Sequence, residues 1–194
     1  MKVRTEPMLG GAAFSFILLF ISNLVSTFIA YNNINRYIQV MMSANFDPMA
    51  AQPSIFSSLI GLLSCLVIPI AGLGSGIIYA VLHGRQEALT GSPAKGGAAA
   101  GALGFFLSGV ASAILAGILV IPVMNQMNQM LFAELGAVDP SMAGLGSSLT
   151  SFGILGALVG GICGGIIFAI LGAILGALGG ILGKSFAKPA AAAA

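Results

Sequence analysis

Seven Lys and Arg and five Asp and Glu make up the formal charge of this chain, and their placement leaves four long stretches with none. The charged residues are Lys2, Arg4, Glu6, Arg36, Asp47, Arg85, Glu87, Lys95, Glu134, Asp139, Lys184 and Lys188. A bilayer core about 30 Å thick takes about 20 apolar residues in helical form, and each uncharged stretch is longer than that. The spans fall at roughly 9–31, 56–82, 98–123 and 149–175. With 58% hydrophobic and 6% charged residues, the chain is neither an ordinary soluble domain, which carries about a quarter charged residues, nor a disordered one. A net charge of +2 is too small and too scattered to hold nucleic acid. The expectation is an all-α integral membrane protein with four transmembrane helices.

Lys and Arg gather at the N-terminus, in the central loop (Arg85, Lys95) and at the C-terminus (Lys184, Lys188), while the other two loops hold Asp47, Glu134 and Asp139. Basic loops stay inside, so both termini are expected to be cytoplasmic and the Asp-Pro loops outside, as in a bacterial inner membrane. Arg36 runs against the trend. The first apolar run is long and has no clear small-x-small cleavage site, so it reads as a retained helix rather than a signal peptide.

The chain also repeats itself. Gly10-Gly11-Ala12-Ala13 returns as Gly96-Gly97-Ala98-Ala99, and Phe20-Ile21-Ser22-Asn23-Leu24-Val25-Ser26 as Phe106-Leu107-Ser108-Gly109-Val110-Ala111-Ser112. Asp47-Pro48 is matched by Asp139-Pro140, Ser57-Ser58-Leu59 by Ser147-Ser148-Leu149, and Ser75-Gly76-Ile77-Ile78-Tyr79-Ala80 by Gly164-Gly165-Ile166-Ile167-Phe168-Ala169. The common order of these matches reads as a duplicated helical hairpin, with units at 1–90 and 91–183 and a low-complexity tail at 184–194. Each unit holds two spans, so the repeat is parallel, with a pseudo-twofold axis along the membrane normal. Past the first and third spans, 32–42 and 124–132 read as amphipathic continuations of the helices. The Asp-Pro pairs read as helix caps rather than catalytic groups.

In the fourth span, Gly156, Gly160, Gly164, Gly172, Gly176 and Gly180 lie on one four-residue register, and residues four apart share a helix face. Such smooth ridges let helices approach closely in lipid. The second span offers Gly72 and Gly76, and the third Gly97 and Gly101. The apolar run of the second unit continues through 172–183, past the point where the repeat ends the second span at His83. A helix from 149 to 183 would be about 50 Å long, more than a bilayer requires; it must tilt, break near Gly164-Gly165 or extend. This face therefore reads as a packing ridge and a docking face for another membrane subunit.

Reactive chemistry is scarce. No Asp, Glu, Lys, Arg or His lies near the centre of a span, which removes the usual machinery of ion-coupled transport. Asn23 is the most polar residue within a span, and with Ser22, Ser26, Ser108 and Ser112 it forms a candidate polar lining. Pro69 and Pro122 are expected to kink their helices. His83, the single histidine, reads as an interfacial anchor, with ligation of a pigment or haem as the weaker alternative. Cys65 and Cys163 do not correspond in the repeat and read as small apolar side chains. Met124, Met127 and Met130 spread over about 9 Å of helix, too far apart to converge on one soft metal ion, so no metal site is expected. No catalytic residue and no cofactor is expected either, apart from pigment or haem contacts made through partners.

These observations favour a non-enzymatic accessory or structural subunit of a larger membrane assembly, whose partners are lipids and other membrane subunits. The alternative is a channel or facilitator for a small solute, formed on the pseudo-twofold axis.

Overall fold

A computed structural model describes residues 5–42, 55–86, 92–138 and 145–187. They form four helices: α1 (Thr5–Met41), α2 (Ile55–Gln86), α3 (Pro93–Val138) and α4 (Leu145–Phe186). All four are long and apolar enough to cross a membrane. Large apolar side chains stand outward along each, as with Ile17, Ile21 and Phe28 on α1, Leu62, Leu66 and Ile70 on α2, Ile114 and Ile118 on α3, and Ile167, Ile170 and Ile174 on α4. Water would not tolerate so much exposed hydrocarbon; lipid requires it. These are the helices of an integral membrane protein.

Each span lies inside a longer helix. α1 runs on through 32–41 and α3 through 124–138. The 46 residues of α3 reach about 69 Å and the 42 of α4 about 63 Å, so both exceed the bilayer. α4 is unbroken at Gly164-Gly165 and continues past Lys184 to Phe186, so of the expected options the break does not occur. α2 and α3 likewise continue through Pro69 and Pro122. Each proline lacks an N–H and frees a carbonyl one turn earlier, a loss that membrane helices tolerate where local adjustment re-satisfies it. α3 starts cleanly, with Pro93 as its first residue and the Ser92 carbonyl accepting from the N–H of Gly96 at 3.3 Å, as suits Pro at the first helical position. The Asp47-Pro48 and Asp139-Pro140 pairs and the tail beyond Ala187 lie outside the described residues.

The chain starts of α1 and α3 and the chain ends of α2 and α4 meet at one end of the bundle, here the terminal end; the opposite end is the loop end. No described glycine has a positive φ, so what the bundle uses is glycine's size. At the terminal end Gly76, Gly97 and Gly176 bring the backbones of α2, α3 and α4 together: a methyl group on Gly76 or Gly97 would strike the Gly176 carbonyl, and one on Gly176 the Gly97 carbonyl. Gly172 is seated on Gly101 and Phe105, Gly179 on Leu73 and Gly180 on Pro93. α1 joins through Gly11, against the Ser75 carbonyl, and through Ser15, which Gly104 admits.

α2 and α3 both touch all the other helices, whereas α1 and α4 do not touch among the described residues. An exact twofold relating the hairpins would make α1–α4 the counterpart of α2–α3. Gly172, Gly176 and Gly180 bring α4 against α2 and α3, where Gly176 meets both Gly76 and Gly97.

Candidate functional site

Towards the loop end the packing loosens. Among the described residues, Gly117, Gly160 and Gly164 have no neighbouring atom within 4 Å of where a methyl group would stand. At about mid-height of the spans the helices enclose a partly open cavity of about 390 Å³. All four contribute: Leu19, Ser22 and Asn23 from α1; Ser64 and Ile68 from α2; Phe105, Ser108 and Ser112 from α3; and Gly160, Gly164 and Phe168 from α4. On the terminal side Leu19 and Phe105 pack with Ala71 in a buried cluster backed by Leu18, Val67 and Leu175. Phe105 is 1% exposed, and this cluster forms the floor.

The polar wall is a hydrogen-bonded set. Asn23 Nδ2 donates to Ser112 Oγ at 2.6 Å and to Ser108 Oγ at 3.2 Å, tying α1 to α3. Ser22 donates to Ser64 Oγ at 3.4 Å, and Ser26 and Ser64 share a bond at 3.2 Å, tying α1 to α2. Ser64 and Ser112 each donate their own hydrogen back along their helix, to the carbonyls of Ile60 and Ser108 at 3.0 and 2.7 Å. Nearer the terminal end Ser15 and Ser75 are fully buried and likewise bond to carbonyls of their own helices. Among the described residues, no ionisable side chain lines the cavity.

Of the expected polar lining, Ser22, Asn23, Ser108 and Ser112 stand on the cavity wall, and Ser26 meets them through Ser64. Ser64 escaped the sequence reading because no repeat match or polar neighbour marks it. The glycine ridge of α4 divides: Gly172, Gly176 and Gly180 are buried against α2 and α3 of the same chain, and Gly160 and Gly164 form the cavity's α4 wall. Gly156 lies on α4, and its surroundings are outside the described residues.

His83, read from the sequence as an interfacial anchor, is a buried residue near the chain end of α2. It is 4% exposed, and its ring stacks on Tyr79 one turn earlier, with centroids 5.6 Å apart. Gly96 of α3 leaves room for the Tyr79 ring, so the pair is enclosed where α2 meets α3. Neither imidazole nitrogen has a hydrogen-bond partner among the described residues. Cys65 and Cys163 are free and exposed on the apolar surface, and among the described residues no group of His, Cys, Asp or Glu is placed to hold a metal ion. Comparison with protein-family models, with curated proteins and with solved structures gives no match.

Proposed function

We propose that this protein binds a small uncharged solute at mid-membrane and eases its passage across the bilayer. The observation that carries the reading is the cavity itself: about 390 Å³ among four helices, with an amide and hydroxyls on one side and a bare glycine wall on the other. Its volume lies at the lower end of the range for small-molecule sites, about 300–1,000 Å³. A charged solute would be stripped of water there with no countercharge to meet it, so the cavity favours a neutral one. Passage requires the floor of Leu19, Ala71 and Phe105 to part transiently. In this reading the protein is non-enzymatic, the hairpins descend from one duplicated unit, and the terminal end faces the cytoplasm.

The test is solute flux into proteoliposomes by stopped-flow light scattering, across a panel of glycerol, urea and short amides. The wild type should speed at least one of them, and the double variant Gly160→Leu, Gly164→Leu, which fills the cavity from its open wall, should not. Rates for the wild type equal to those of protein-free vesicles across the panel would overturn the reading.

A second reading, an accessory subunit of a larger membrane assembly, is favoured by the loop end of α3. There the helix runs past its span with Met124 and Met130 exposed, and flexible methionine suits an adaptable contact surface.

A further inference from the structure

Resting on the reading of the cavity as a solute site, we infer that Asn23 Oδ1 selects the solute, favouring small apolar molecules that carry a hydrogen-bond donor. The hydrogen bonds around Asn23 determine which way its amide faces. Ser112 has one hydroxyl hydrogen, and it goes to the Ser108 carbonyl at 2.7 Å. Its oxygen can then only accept, so the Asn23 group 2.6 Å away must be the amide nitrogen. The same nitrogen gives its second hydrogen to Ser108 Oγ. Both amide donors are thereby used, and they hold the side chain rigidly against α3.

The carbonyl oxygen is left over. Asn23 Oδ1 has no partner among the described residues, and Asn23 stands on the cavity wall. The hydroxyls of Ser22, Ser64 and Ser112 each have their hydrogen engaged and can only accept, as weaker acceptors than an amide carbonyl; Ser64 already meets both Ser22 and Ser26, and Ser108 is 2% exposed. The cavity thus presents an acceptor held in place by two bonds, with Leu19, Ile68, Phe105 and Phe168 lining the rest. An acceptor left unpaired in an apolar site penalises a ligand that cannot donate to it. An alcohol, a phenol or an N–H amide satisfies it; an ether or a hydrocarbon of the same size does not.

Benzyl alcohol and anisole are isomers, so they separate this claim from simple size. Binding of each, isotopically labelled, is measured on the protein in lipid nanodiscs, with protein-free nanodiscs and the Gly160→Leu, Gly164→Leu variant as background. The wild type should bind benzyl alcohol about five- to tenfold more tightly than anisole after correction for lipid partition, and Asn23→Leu should abolish that preference while anisole still binds. Equal binding of the two isomers by the wild type would overturn the role of Oδ1 and leave the cavity as a solute site. A preference that survives Asn23→Leu would also overturn it. If neither isomer binds above background, the solute-site reading fails with it.

Discussion

Glycine plays opposite parts at two positions sixteen residues apart on α4. Gly176 is pressed against the Gly97 carbonyl, and Gly160 faces open space. Gly176→Ala should therefore destabilise the bundle by about 1–3 kcal/mol through overpacking. Gly160→Ala should be neutral or stabilising by up to about 1 kcal/mol, because alanine is the better helix former. Reversible unfolding of the two variants in micelles measures both, and equal effects would contradict the division of the ridge. That division was not legible in the sequence, where the two glycines share one register; what separates them is which helix lies opposite. Asn23, Ser108 and Ser112 were legible for a simple reason. Uncharged polar groups inside an apolar span need partners, and the nearest ones are on other helices.

At the scale of the helices, each uncharged stretch falls on one of the four long apolar helices, because a bilayer sets a minimum apolar length. The helix ends were less legible: α1 and α3 continue beyond the lipid into Asn-, Gln- and Met-containing segments, where local helix preference and tertiary contact decide rather than hydrophobicity. The extension of α4 was visible as an apolar run that continues through 172–183. Its packing on α2 and α3 depends on glycines from three different helices meeting at one level, which no single stretch reveals. Orientation can be tested helix by helix. In a chain with Cys65 and Cys163 replaced by Ala, a cysteine beside Asp47 or Asp139 should react with a membrane-impermeant maleimide added outside intact cells, and one beside Lys95 should not. The reverse pattern would turn the molecule over and place the terminal end outside.

Among the described residues, the bundle is tight at the terminal end and looser around mid-height. Glycine contacts seal the terminal end, a buried Phe105 cluster closes the middle, and above it the four helices part around a cavity on whose wall Asn23 stands. Among the described residues α2 and α3 touch while α1 and α4 do not, so the helix contacts do not follow an exact twofold. The most direct test of the central claim is native mass spectrometry of the gently solubilised particle, comparing the wild type with the Gly160→Leu, Gly164→Leu variant. The account predicts one to a few copies of this chain carrying a small-molecule adduct that the filled variant lacks. A particle of fixed, unrelated protein subunits, with no adduct that depends on the cavity, would contradict it.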